Sequence, residues 1–153
     1  MVNRKVILAV LLIILAAVLA GCGQKTALSA EDYVSIMEVN GYEVQDATAQ
    51  YEGMVESCHI AIKGDFEYQI EFYVVASESQ ASDAYSQNKD TFESEAIGVS
   101  STFTSEAAHH EKYTQVNNGK YNVVSRIDNT FLFVDTTDEY RDQIEGILDT
   151  LGY

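Results

Sequence analysis

Proline is absent from this chain and basic side chains are scarce. Nine Lys and Arg stand against 24 Asp and Glu, for a formal net charge of −15. Without proline, the turns must rest on Gly and Asn, as in Lys63-Gly64-Asp65 and Asn117-Asn118-Gly119. So few cations argue against nucleic acid as a partner, because that binding needs clustered Lys and Arg against phosphates. The same charge keeps the protein body from lying flat on anionic lipid, since like charges repel. The local signatures of catalysis are missing too: no nucleophile elbow, Walker loop, dinucleotide fingerprint or metalloprotease helix is found. Acids are abundant, but the alternate-position acids, central Gly and closing Glu of an EF-hand loop do not occur. The expectation is a non-enzymatic chain with no cofactor.

The chain does contain a distinctive start. Arg4 and Lys5 form a basic n-region, and Val6 to Ala20 runs without a charged or polar side chain. A small residue, Gly21, then precedes Cys22. A charged start, a short apolar region and a small-residue cleavage site mark an export signal. The run falls short of the roughly 20 residues that a membrane-crossing helix needs. Leu19-Ala20-Gly21-Cys22 resembles the lipobox of bacterial lipoproteins. That resemblance implies cleavage before Cys22, a diacylglycerol thioether on its sulfur, and a place at the cell membrane, lipid-anchored on the extracytoplasmic face. Residues 1–21 are then the signal peptide, 22–28 a lipidated tether and 29–153 a single domain.

Removing residues 1–21 takes away Arg4 and Lys5 and no acid, so the formal charge moves from −15 to −17. If Cys22 carries lipid, Cys58 is the one thiol left, and no intramolecular disulfide can form. A small exported domain without such staples depends on its hydrophobic core. Ten tyrosines and six phenylalanines, among many Ile and Val residues, supply one and argue against disorder.

Hydrophobic periodicity places the elements. Ser29 is an N-cap with Asp32 as its box partner, Tyr33, Ile36 and Met37 share one helical face, and Gly41 stops the helix. Tyr42 to Gln45 and Met54 to Lys63 read as strands, with Cys58 on the side of Ile60 and Ile62. Phe66, Tyr68, Ile70, Phe72 and Val74 then alternate with Glu67, Gln69, Glu71 and Tyr73, the clearest half-buried strand. A second helix opens at Ser77 with Gln80 as box partner. Val99 to Thr104 has strand composition, while Ser105 to Glu111 has no period and reads as a loop. Strand character returns at Tyr113 to Val116, and Asn117-Asn118-Gly119 predicts a hairpin. Tyr121 to Arg126 alternates, and Thr130 to Val134 is an apolar run suited to a central strand. Thr136 is the expected cap of a last helix striped by Tyr140, Ile144, Ile147, Leu148 and Leu151 and ended by Gly152.

The fold class that follows is α+β: a largely antiparallel sheet of about six strands with three helices, α-βββ-α-βββ-α, the helices on one face. The first and last helices both carry an early tyrosine and end in Gly-Tyr. A weak internal duplication and the generic look of capped amphipathic helices account for this equally well.

Three sets of side chains are candidates for chemistry. His109-His110-Glu111 could ligate Zn²⁺ or Cu²⁺, with His59 joining if folding brings it near. Sequence neighbours point in different directions, however, and a solvated loop is the competing reading. Cys58-His59 does not read as a thiolate with its base, because i and i+1 on a strand face opposite sides. Tyr73, Ser57, Thr114 and Asn122, on the outward sides of strands, could form a binding surface, or the ring of Tyr73 could simply cover the sheet.

Two functions are compatible with these residues. One is a lipid-anchored extracytoplasmic binding module for a protein or cell-envelope partner, similar in outline to the small lipoproteins of Gram-positive bacteria. The other is a small-ligand or metal receptor accessory to a transporter, with its pocket between sheet and helices. A wall-acting hydrolase is a third and weaker idea.

Overall fold

A computed structural model of the protein describes residues 25–153. The signal peptide, the lipobox and Cys22 lie outside the described residues. Helix α1 (Ala30–Val39) is capped as the sequence requires, the Ser29 hydroxyl accepting from the Asp32 amide at 3.1 Å. Strands β1 (Tyr42–Asp46), β2 (Ser57–Lys63) and β3 (Tyr68–Val74) follow, with a 3-10 turn over Thr48–Tyr51 between the first two. Helix α2 (Glu78–Glu95) begins at the Ser77 cap. Strands β4 (Ser100–Ala107), β5 (His110–Asn117), β6 (Lys120–Ile127) and β7 (Thr130–Thr137) lead through a 3-10 turn, Asp138–Tyr140, into α3 (Arg141–Leu151).

All the strands join one antiparallel sheet in the order β1-β2-β3-β7-β6-β5-β4. Two meanders therefore meet at the β3–β7 seam. The hairpin predicted at Asn118-Gly119 is present, with φ values of 49° and 78° that Asn and Gly accept at little cost. Among the described residues no helix is long and apolar enough to cross a membrane.

Among the described residues the sheet has seven strands, close to the about six expected, and β4, of which Val99 to Thr104 has strand composition, runs on into the segment read as a loop. Ser105 to Ala107 continue β4, and His110 to Lys112 open β5, paired from Ser100↔Asn117 to Ala107↔His110. Nearly every β4 side chain is exposed, so no buried face imposed an alternation that sequence could show. The last helix also starts later than Thr136. Strand β7 stays paired with β6 through Thr137↔Lys120, and the Asp138 amide adds a bond to the Gly119 carbonyl at 2.8 Å.

The helices do not share a face. Ile70 and Phe72 of β3, with Leu132 and Val134 of β7, pack with α1 and α3, whereas Tyr73, Phe131 and Phe133 point to the other side, toward α2. Tyr33 of α1 stacks on Phe72 at 4.5 Å and donates its hydroxyl to the Ile70 carbonyl at 2.8 Å. The placement of α2 bears on duplication as well. Antiparallel neighbours such as β3 and β7 are exchanged only by a two-fold axis normal to the sheet, and that axis keeps each helix on its own face. With α2 opposite both α1 and α3, the two halves are not related in this way.

Helix α3 is tied to the sheet by a charged contact. Glu145 accepts from the Tyr121 hydroxyl and from the Lys112 ammonium at 2.9 Å. Burial works to raise its carboxyl, but these two donors outweigh it and hold the group below its usual value of 4.5. A carboxyl depressed in the folded state stabilises above its unfolded value, and that stabilisation is lost as pH falls through the folded one. Glu145→Gln should therefore unfold about 1 kcal/mol more easily at pH 7, a figure discounted for partial exposure. The gap to wild type should shrink below pH 4.5. Urea titrations at a series of pH values measure it, and a constant gap would refute the assignment.

Candidate functional site

One face of the sheet carries two helices and the other carries α2 alone. Helix α2 lies over β5, β6 and β7, anchored by Tyr85 and Phe92 on Tyr113, Val124 and Phe133. On the β2–β3 side this face is covered instead by the chain between β1 and β2. Small residues, Ala81 and Ala84, occupy the part of α2 that faces this segment. Between the two covers is left a groove of about 550 Å³.

Aromatic rings form much of its floor. Tyr73 stacks on Phe131 at 4.5 Å and 10°, and meets Tyr51 edge-on at 5.4 Å. Met54 and Val55 make one wall, and Asp83, Ala84, Gln87 and Asn88 of α2 make the other. The Tyr73 hydroxyl donates to the Glu71 carboxylate and lies 3.1 Å from the Tyr51 hydroxyl. Burial, then the neighbouring Glu71 carboxylate, drives the Tyr73 phenol far above its ordinary range, so it stays protonated. Among the described residues, Glu71 and Asp83 give the lining its only formal charges, both negative, and no Lys or Arg lines it. An apolar floor with carboxylates at the side suits an apolar or aromatic body that carries hydrogen-bond donors or a cationic amine.

The residues singled out in the sequence are distributed as follows. Tyr73 is buried in the groove floor, 7% exposed, and not on an open sheet face. Asn122 faces the same side beyond Phe92, near Gln115 and Asn117. Thr114 pairs with Val123 on the α1–α3 face, so the three do not form one surface. Ser57 begins β2 at the end of the sheet. Cys58 is fully buried beside Tyr73 and Phe131, and burial pushes its thiol up to about 11, which makes it a packing residue.

His109, His110 and Glu111 are separated because His109 lies in the β4–β5 turn while His110 and Glu111 open β5 and face opposite sides of the sheet. Glu111 faces α2, where it accepts from Arg126 Nε at 2.6 Å. His110 opens β5 opposite Ile127, on the other face. His59 lies on β2 between Asp46 and Phe72 and is not part of this cluster. His109 alone, at the β4–β5 turn, meets carboxylates: its Nδ1 is 3.5 Å from Glu78 Oε2 and 3.7 Å from Asp128 Oδ1.

Sequence reasoning missed Glu71, Tyr51, Phe131 and Phe133 for the groove, and Glu78 and Asp128 for the histidine. One signal did exist. Phe131 and Phe133 alternate with Leu132 and Val134, and a strand apolar on both sides is covered on both sides.

The chain matches no protein-family model and no curated protein sequence. Among solved structures it is similar to a GTP binding regulator from Thermotoga maritima, at 17% identity and a TM-score of 0.44, over 77% of this chain and 83% of that one. A likeness at this level carries no argument about function.

Proposed function

We propose that the chain is a non-enzymatic, lipid-anchored binding module, held at the extracytoplasmic face of the cell membrane through Cys22, with the α2 groove as its binding site. The groove carries the reading. At about 550 Å³ it lies within the ordinary range of ligand sites, roughly 300–1,000 Å³, and it combines an aromatic floor with a few placed polar groups. A side chain of a protein partner or a fragment of the cell envelope fits that description. The lipobox resemblance supports the anchoring.

The second reading, a small-ligand receptor serving a transporter, is favoured by the same volume, and one experiment separates the two. Residues 23–153 are unfolded thermally against amines, amino acids, sugars, nucleotides and wall fragments. A ligand at about 100 times its Kd adds about 2.7 kcal/mol, a shift of several degrees. Ala84→Trp fills the groove from its helical wall and is expected to abolish any such shift. A small-molecule shift that Ala84→Trp removes supports the receptor. A flat small-molecule screen, with a wall or protein fragment shifting the wild type alone, supports the module. A shift that survives in Ala84→Trp places the site elsewhere and defeats both.

A further inference from the structure

We infer that Glu78, His109 and Asp128 form a surface site for a divalent cation of the Zn²⁺ class, separate from the groove. One donor atom from each lies within 4.8 Å of the others. A tetrahedral zinc with N and O ligands at about 2.1 Å holds them about 3.4 Å apart. The imidazole Nδ1 stands 3.5 Å from one carboxylate oxygen and 3.7 Å from the other, close to that spacing before any metal draws them in. Three protein ligands leave a fourth position for water.

The three residues come from separate parts of the chain, and the fold fixes each of them. Glu78 is the first residue of α2, directly after its Ser77 cap. His109 and Asp128 sit in the β4–β5 and β6–β7 turns, which are locked together by the Asp128 amide donating to the His109 carbonyl at 2.8 Å. Arg126 adds two further bonds across the same turns, to the Asp128 carbonyl at 3.2 Å and the Ala108 carbonyl at 3.4 Å. Its positive charge opposes a cation, but Glu111 neutralises it at 2.6 Å. The backbone that carries the donors is thus held in place, so that only the side chains remain to be ordered by the ion, which lowers the cost of binding.

Imidazole selects the metal class. Histidine suits Zn²⁺, Cu²⁺ or Ni²⁺, whereas Ca²⁺ and Mg²⁺ prefer all-oxygen sites. The side chains remain open to water, with His109 58% exposed, which fits reversible capture better than a closed structural site.

The test is calorimetric titration of the full chain, solubilised in mild detergent, with ZnCl₂ and separately with CaCl₂. The expected result is one Zn²⁺ per chain, weakened about tenfold or more in each of His109→Ala, Glu78→Gln and Asp128→Asn, and unchanged in His110→Ala. Asparagine accepts the positive φ of 49° at position 128, so that turn survives the change. Wild-type imidazole resonances give a readout free of mutation, with His109 shifting on zinc addition and His110 not. Zinc binding equal in His109→Ala and wild type would overturn the assignment, as would Ca²⁺ binding as tightly as Zn²⁺. Retention of zinc by Ala84→Trp confirms a site distinct from the groove, and its loss there would overturn that separation.

Discussion

Arg126→Ala is expected to lower the unfolding free energy by about 3–5 kcal/mol, the usual consequence of removing one partner from a buried ion pair. The Arg126 side chain is 5% exposed and that of Glu111 17%, and they meet at 2.6 Å. Truncating the arginine leaves the largely buried Glu111 carboxylate beneath α2 with the Ser82 hydroxyl as its remaining side-chain donor. It also frees the carbonyls of Ala108 and Asp128, which Arg126 now satisfies. In a domain of this size the thermal midpoint should fall by about 10 °C or more. The double change Arg126→Met with Glu111→Leu should recover most of that loss, because apolar side chains need no charged partner. Urea unfolding of the single and double variants measures the difference. A single variant within about 1 kcal/mol of wild type would mean that Glu111 finds water or another partner.

The Arg126–Glu111 pair also shows why the candidate sites were harder to read than the fold. Where a residue's role depends on its near neighbours in the chain, sequence mostly declared it, the Thr136 cap being an exception because β7 stays paired through Thr137. The Ser29 and Ser77 caps, the alternation along β3 from Tyr68 onward, the Asn118-Gly119 hairpin and the α3 stripe are local, and each is present. Phe66, read as the start of that alternation, sits instead in the turn before β3 with φ 63° and is 77% exposed. Strand β4 is legible only over Val99 to Thr104, from composition, and its second half reads as a loop because an edge strand exposed on both sides has no buried face to print a period. The position of α2 failed because an amphipathic stripe says that a helix packs, not against which side of a sheet. The groove draws on the β1–β2 connection, β3, α2 and β7, and the His109 cluster on two turns and a helix start. No spacing rule links His109 to Glu78 or Asp128. Their proximity is a consequence of the strand order, and it appears only once β4 and β5 are correctly paired.

Cys22→Ala is expected to have the largest effect of all, moving the protein from the membrane fraction to the soluble fraction or leaving it as uncleaved precursor. The physical reason is that, once the apolar signal Val6 to Ala20 is removed, no helix among the described residues is long and apolar enough to cross a bilayer. The domain beyond the signal carries a formal charge of −17, which anionic headgroups repel. A diacylglycerol, by contrast, brings two acyl chains at about 0.8 kcal/mol per buried CH₂, enough for stable anchoring where a single chain is marginal. The fold shortens the reach of that anchor. Ala27 and Leu28 already pack against the α1–α3 core, which leaves only four residues of sequence, 23–26, between them and Cys22. At about 3.3–3.6 Å per extended residue, the domain must sit close to the headgroups. On the proposed anchoring, the charge of the domain works against contact with anionic headgroups while the anchor keeps it near them. Metabolic labelling with a fatty acid, followed by membrane fractionation, reads both parts of the prediction. Label in the wild type but not in Cys22→Ala, with matching loss from the membrane, is the expected result. Equal membrane partition of the two with the signal removed from both, or equal label in both, would overturn the anchoring.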